Sequence, residues 1–442
     1  MSHYKPYPAY RESGVEWIGQ VPEHWSLLRL ANVGALMKAN GGNKQDDADR
    51  GIPCIRYGDL YTTYDLLIRQ VGKFINPDAE TDYTAIQYGD ILFAASGETF
   101  EEIGKSAVNL TQAHACCGGD IIILRPHRKF DPAFLAYAAG SSSSQTQKSL
   151  MGKGFTVIHI YGDQLRNIVI TAPPEQDQKF IVAKIESETT RIDSLISKKT
   201  RFIELLKEKR SALITHAVTK GLNPKAKMKD SGVEWIGEVP EHWRVGAIKF
   251  IAETLNGATP ESGKAEYWDG DIAWYTPTDI DNEIVTELAA PRRYISKSGF
   301  ESCAVKLAPL GSVILSTRAP IGSVGTTLVP STINQGCRTL VPKHNVPTNY
   351  LASLLVAARN ELRLRGNGTT FQELSTDGLR SLRVPMPPLA ESVLIASAVE
   401  RETSRIDLLI QKTQHSIALL KERRSTFITA AVTGQIDLRE SA

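Results

Sequence analysis

The sequence predicts two α/β (α+β) domains, two copies of one design, joined by two long helices that form an antiparallel coiled coil. The whole chain is then a pseudo-two-fold internal repeat. Three observations predict this. Residues 13–25, SGVEWIGQVPEHW, recur at 231–243 as SGVEWIGEVPEHW with one exchange, Gln20 against Glu238, at an offset of 218. Toward the end of each half, RIDSLI (191–196) is matched by RIDLLI (405–410) and LLKEKRSALITHAVT (205–219) by LLKERRSTFITAAVT (419–433), at an offset of 214. These later repeats lie within two stretches, 175–220 and 389–433, that contain neither Gly nor Pro.

In chain order, the first domain spans 1–172, the first helical region 173–222, the second domain 223–386, and the second helical region with its tail 387–442. In the first domain GIPCIRY (51–57), GDILFAA (89–95) and DIIILRP (120–126) are short apolar runs bounded by Gly, Pro and Asp, which read as strands. DIAWYTP (271–277), GSVILST (311–317) and CRTLVP (337–342) stand in their places in the second. DPAFLAYAAGSS (131–142) and TNYLASLLVAAR (348–359) read as equivalent helices. A mixed, strongly bent sheet is expected in each domain. The domain interiors share only thin echoes, so a common frame carries two different contents.

Pro173–Pro174 and Pro387–Pro388 end the strand-like runs NIVITA and LRVPM, because proline cannot sit inside the helix that follows. A 4-3 spacing then selects Ile181, Ile185, Ile192, Leu195, Phe202, Leu206 and Leu213, and in the second copy Ile395, Val399, Ile406, Leu409, Leu420 and Phe427. Glu188, Lys199 and Lys209 interrupt the first seam, so a lone helix is marginal and pairing of the two is expected. About 45 residues of helix run ~65 Å at 1.5 Å per residue. An antiparallel return follows from connectivity, since the second helix starts at the domain built where the first ends.

Bulk composition excludes a polybasic nucleic-acid binder, because 51 Lys+Arg against 49 Asp+Glu leave a net charge of +2. Residues 1–172 are net −2 and 223–386 net +1. Any DNA contact by these domains thus lacks surplus charge for the phosphate interaction, and salt-sensitive, weak binding by the isolated chain is expected. The five cysteines are odd in number and lack CxxC or Cys/His ligand spacing, which reads as free thiols in the cytoplasm and no zinc. No apolar run reaches the ~18 residues of a membrane span.

Catalytic motifs fail on spacing. GETFEEIGKS (97–106) places six residues between Gly97 and Gly104, where a phosphate loop needs four. Neither an (N/D)PP(Y/F) adenine-gripping loop nor a GxGxxG after a strand occurs. Asp177 and Lys179 have a nuclease-like D-x-K spacing, but in the first turn of a helix Asp177 reads as a cap. His24 and His242, within PEHW, have no Cys or carboxylate arranged as catalytic partners, and Trp17, Trp25, Trp235 and Trp243 read as packing residues.

The combination of SGVEWIG-x-VPEHW at each domain start, TPESGKAEYWDGDIAWYTPTDI (259–280), PPEQ (173–176) and the RID…LLKE-[KR]-R-S run resembles the specificity subunit of type I restriction-modification systems, over essentially the whole chain. The second copy departs from it with PPLAES in place of the EQ pair. The resemblance implies target-recognition domains that each read half of a bipartite, asymmetric site in double-stranded DNA, with the coiled coil fixing the gap between them. It implies that two adenine methyltransferase (modification) subunits dock on the chain. S-adenosylmethionine would sit on them, ATP and Mg on restriction/translocase subunits, and no cofactor, metal or catalytic residue on this chain. Domains on one face of the duplex would put half-site centres ~34–36 Å apart.

Direct readout uses Arg, Lys, Asn, Gln, Ser and Thr presented from loops. The candidates are Lys38, Asn43, Lys44, Arg56, Ser96, Lys105 and Lys153 in the first domain. In the second they are Lys264, Arg292, Arg293, Thr317, Arg318, Asn334, Gln335, Asn367 and Thr370. Lys105 and Arg318 are favoured, lying in corresponding loops after the GDILF and GSVIL strands. The competing reading is a non-catalytic coiled-coil scaffold that organises partner proteins without reading sequence; the divergent domain interiors argue against it.

Overall fold

A computed structural model describes residues 4–127, 129–318, 320–366 and 372–439. It divides into two compact units, one comprising residues 1–199 and 415–442 and the other residues 200–414. Each unit therefore takes half of either long helix.

In the first unit the strands Gly34–Lys38, Ile121–Pro126, Ile91–Ala94, Ser106–Asn109 and Leu67–Ile68 form one five-stranded sheet in that order. Its pairs are antiparallel except the last, where Ser106–Asn109 runs parallel to Leu67–Ile68. A second five-stranded sheet contains Asp47–Ala48, Phe74–Ile75, Ile52–Ile55, Ala115–Cys117 and Thr84–Ile86. The single bent sheet expected from the sequence is thus two sheets. The break lies within ACCGGDIIILRP, between the strands Ala115–Cys117 and Ile121–Pro126. Gly118, Gly119 and Asp120 turn the chain from one sheet to the other, Asp120 with φ of 59°, a left-handed conformation that Asp tolerates better than most residues.

The period of two explains why these apolar runs do not alternate with polar residues. Ile91 and Phe93 face one core while Leu92 and Ala94 face another; Ile122 and Leu124 divide from Ile121 and Ile123 in the same way. The first core is closed by the helix Pro132–Ala139, which begins with Pro132 at its first position and Asp131 capping the amides of Ala133 and Phe134. It continues into the start of the first long helix, through Ile181 and Ile185, and the end of the second, through Phe427, Ile428 and Ala431.

The second unit repeats the frame. Ala252–Asn256, Cys337–Pro342, Val313–Ser316, Val324–Thr327 and Thr286–Leu288 make its five-stranded sheet, and Arg293–Ile295, Trp268–Tyr275 and Ser331–Ile333 a three-stranded one. Val313 and Leu315 face the helix Thr348–Ala357, whereas Ile314 faces the smaller sheet. Here the end of the first long helix (Ile214, Ala217, Val218) shares a core with the start of the second (Ile395, Ala396, Val399). In both units the start of one helix meets the end of the other, so the pairing is antiparallel in each. The helices span Glu175–Lys220 and Leu389–Val432, beginning at the residues the PP dipeptides marked.

The repeated peptide anchors each domain to its helix. Trp25 and Trp243 are buried, while Trp17 is exposed and Trp235 half-buried. His24 and His242 each face one carboxylate, in a tie to a helix start and not a catalytic arrangement: His24 Nε2 lies 3.4 Å from Asp177 Oδ2 and His242 Nε2 2.6 Å from Glu391 Oε1. Both carboxylates sit in the first turn of a long helix, where negative charge is favoured, and tie the PEHW turn to it. Burial would raise the Glu391 carboxyl, but hydrogen bonds from Trp243 and His242 hold it below the usual range.

The two copies differ by one methylene with a consequence. Trp243 Nε1 donates to Glu391 Oε2 at 2.9 Å, whereas Trp25 Nε1 is buried without an acceptor, the shorter Asp177 standing in that place. Asp177→Glu is therefore expected to stabilise the first unit by about 1 kcal/mol, read as a rise in Tm of about 2–4 °C. An unchanged or lowered Tm would show that the longer side chain does not reach the indole.

Candidate nucleic-acid interface

The junction of the two sheets in each unit gathers most of the candidate residues. In the first unit the strand Ile52–Ile55 ends at Arg56, whose amide donates to the buried Asp59 at 2.8 Å. The Arg56 side chain crosses Gly118, donates to the carbonyl of Asn43 at 3.0 Å and to Asp47 Oδ1 at 2.5 Å, and stacks 5.1 Å above the Tyr83 ring. Asn43 and Lys44 are exposed beside it, on the turn that Asp46 caps. Burial lowers the Arg56 guanidinium, but Asp47 and Tyr83 more than offset this and leave it raised. Asn43, Lys44 and Arg56 thus form one group, with Tyr83 as an aromatic floor that sequence reasoning did not pick out.

A second group forms where the ribbon of Ser96–Gly97 with Ile158–His159 closes. Ser96 is interior, its Oγ 3.0 Å from His159 Nδ1, and its side chain serves the ribbon rather than the surface. Lys153 is exposed at the tip of that ribbon, bridged to His159 by reciprocal backbone hydrogen bonds of 2.9 and 2.7 Å. Lys105 is half-buried, donating to the Tyr61 carbonyl at 3.3 Å and lying 5.9 Å from the Tyr61 ring. Lys38 is exposed on the strand Gly34–Lys38 that leads into the Asn43 turn.

In the second unit the position of Arg56 is taken by Thr276, whose amide donates to Asp279 Oδ2 at 2.8 Å as Arg56 does to Asp59. Asn334 stands where Gly118 stands and Gly336 where Asp120 stands, and the guanidine lying against Gly336 belongs to Arg318, on the loop after Val313–Ser316. Asn334 is half-buried, accepting from the Gly336 amide at 2.9 Å, and Gln335 is exposed and bonded to Thr259. Arg338 completes this cluster and was missed. It donates to Thr376 Oγ1 at 3.0 Å and to the Gln335 carbonyl at 2.9 Å, and burial lowers its pKa. It lies within the strand Cys337–Pro342, outside the loops from which direct readout is expected.

Lys264 and Arg293 form the remaining group, both exposed, Lys264 over Tyr267 at 5.2 Å and Arg293 over Trp268 at 3.6 Å. Arg292 is exposed and lies 4.0 Å from Asp279. Thr317 is the clear misplacement. It is fully buried, its backbone bonded to Gly336 and Leu374, and it presents nothing to a ligand. It follows the strand on the inward side of the pleat. Asn367 and Thr370 lie outside the described residues. Among the described residues, no three His, Cys, Asp or Glu side chains gather as a metal would require, and the cysteines are free. No helix among them is long and apolar enough to cross a membrane.

Fold and site together define a duplicated protein, one frame presenting two different polar surfaces. Residues 240–417 match the type I restriction modification DNA specificity domain. The chain is 34% identical over 189 residues to the type I restriction enzyme MjaIX specificity subunit of Methanocaldococcus jannaschii, an alignment spanning 42% of this chain and 43% of that relative. A putative MjaX specificity subunit from the same organism aligns over 96% of both chains at 24% identity. In fold, it is similar to a chain from a study of assembly and conformational transition in the type I R-M system. The TM-score is 0.73 at 19% identity, covering 93% of this chain and 98% of that one. The HsdS subunit from Thermoanaerobacter tengcongensis gives a TM-score of 0.52 at 19% identity over 94% and 98%. Residues 240–417 thus match the family of type I restriction modification DNA specificity domains, and the matched relatives are type I specificity subunits.

Proposed function

We propose that this chain is the sequence-reading, non-catalytic subunit of a type I complex, each globular domain reading one half of a bipartite site in double-stranded DNA. The observation that carries the reading is an exchange at the turn between the two sheets. Arg56 lies against Gly118 in the first unit; Arg318 lies against Gly336 in the second, two residues further along the equivalent turn and brought from a different strand end, while Thr276 takes the place of Arg56. A scaffold has no use for two different arginines on one equivalent turn. A reader of two unlike half-sites needs that difference, since Arg is the common donor to guanine edges in the major groove.

The recognition domains would correspond to residues 1–172 and 223–386, with the helical regions 173–222 and 387–442 holding the gap between half-sites and offering surface to two methyltransferase subunits. S-adenosylmethionine, ATP and Mg belong to those partners and to the restriction subunits in this reading. The contact set is Lys38, Asn43, Lys44, Arg56, Lys105 and Lys153, against Lys264, Arg292, Arg293, Arg318, Asn334 and Gln335, with Arg338 added.

Arg56→Ala and Arg318→Ala test it. Each loss of a base-reading arginine costs ~1–3 kcal/mol against the cognate base, or roughly a 5- to 150-fold drop in preference at one base pair. Each variant is expected to relax a different half-site when methylation by the assembled complex is mapped. Relaxation of the same half by both, or of neither, would contradict the reading.

A further inference from the structure

The duplicated motifs RID and KE-[KR]-R-S meet each other across the two copies. Arg210, from KEKRS, lies 3.0 Å from Asp407 of the second RID. Arg424, from KERRS, lies 3.1 Å from Asp193 of the first RID. Each pair joins the two long helices within one unit. Each arginine also reaches a third element, a surface loop of the globular domain: Arg424 donates to Asp65 Oδ2 at 2.6 Å, and Arg210 to the Glu283 carbonyl at 3.2 Å. Both side chains are largely buried while their carboxylate partners stay exposed or half-exposed.

The apolar core holds each domain at the helix ends, in the first unit through Ile181 and Ile185. Asp193 lies eight residues beyond Ile185, ~12 Å further along the helix. Apolar contact is non-directional and resists separation more than tilting. A charge-assisted, forked guanidinium contact is directional. The core and the arginine are thus two attachment points, and two points fix an angle that one does not.

We propose that Arg210 and Arg424 are positioning residues that set the tilt of each domain on the helix pair. Through that tilt they enforce a single gap length between half-sites. This rests on the DNA-reading function above. Such exposed-partner ion pairs contribute little to global stability, so their loss loosens rather than unfolds.

The full chain, assembled with its methyltransferase partner, is the material for the test. Arg424→Ala and Arg210→Ala are expected to leave both half-sites unchanged while raising methylation at sites with the gap one base pair longer or shorter by about tenfold. Asp65→Ala, at an exposed side chain, is expected to shift it in the same direction and keeps the test alive should an arginine variant fold poorly. An unchanged gap in all three overturns the proposal. A second readout does not depend on DNA. Spin labels on Asp78→Cys and Lys198→Cys, in a Cys303→Ser background, should give a distance distribution that broadens on adding Arg424→Ala. A distribution that stays narrow overturns the clamp whatever the chain reads, whereas broadening without any bipartite motif in the wild type would sink the DNA reading and leave the clamp standing.

Discussion

Replacing Lys148 by Met is expected to stabilise the first unit at neutral pH, with a gain that shrinks as the pH rises toward 10. Lys148 is completely buried in the helix Ser142–Met151, its Nζ donating to the carbonyls of Gly104 at 2.8 Å and Ala139 at 3.1 Å and lying 5.8 Å from the Phe93 ring. No carboxylate pairs with it among its hydrogen-bond partners, and burial lowers its pKa from 10.5 to about 7. The unfolded chain therefore binds more protons than the folded one between pH 7 and pH 10.5, and stability rises with pH across that window. Below pH 7 the penalty is fully present, on the order of 4 kcal/mol. Methionine removes the charge and fills the same space, at the loss of two hydrogen bonds worth roughly 1 kcal/mol each. The net gain is expected to be about 2 kcal/mol near pH 7. Denaturant unfolding at pH 7, 8 and 9 checks this. A difference between variant and wild type that is constant with pH would mean that Lys148 does not lose its proton on folding.

The second large effect concerns the gap. Removing seven residues from each long helix, centred on 199/200 and 414/415 where the two units divide, keeps the same helix face in register. It shortens each helix by ~10 Å, equivalent to about three base pairs of duplex at 3.4 Å each. If the helices hold the gap, the mapped target should keep both half-site sequences and lose about three base pairs between them. An unchanged gap would remove the helices from the spacing mechanism. Altered half-sites would mean that the domains had been disturbed instead.

The long helices were legible almost to the residue, because helix starts and stops are local. Pro174 precedes Glu175 and Pro388 precedes Leu389, and no Gly or Pro intervenes until Gly221 and Gly434. The principal strands and the helices at Pro132–Ala139 and Thr348–Ala357 were legible for the same reason. The separation into two sheets was not, since the crossings from Cys117 to Ile121 and from Ile333 to Cys337 are set by which strands pair across the fold, not by local composition.

At the candidate interface, exposed basic residues on turns, such as Lys44, Lys153 and Lys264, were found by composition. Burial at Thr317 and Ser96 escaped because which side of a pleat a strand-end residue faces is set by register, not residue type. Lys148 escaped because SSSSQTQKSLM reads as a solvated helix, yet Ser143, Ser144 and Gln147 are buried with it. The Arg210–Asp407 and Arg424–Asp193 pairs are separated by 197 and 231 residues, and only the antiparallel meeting of the two copies brings them together.

If one frame carries two readers, a genome-wide map of methyladenine, made with the chain expressed beside the methyltransferase partner proposed for it, tests this most directly. One motif of two unlike, specific half-sites separated by a fixed stretch of unspecified bases is expected. A continuous motif, two identical half-sites, or methylation without sequence preference would contradict it.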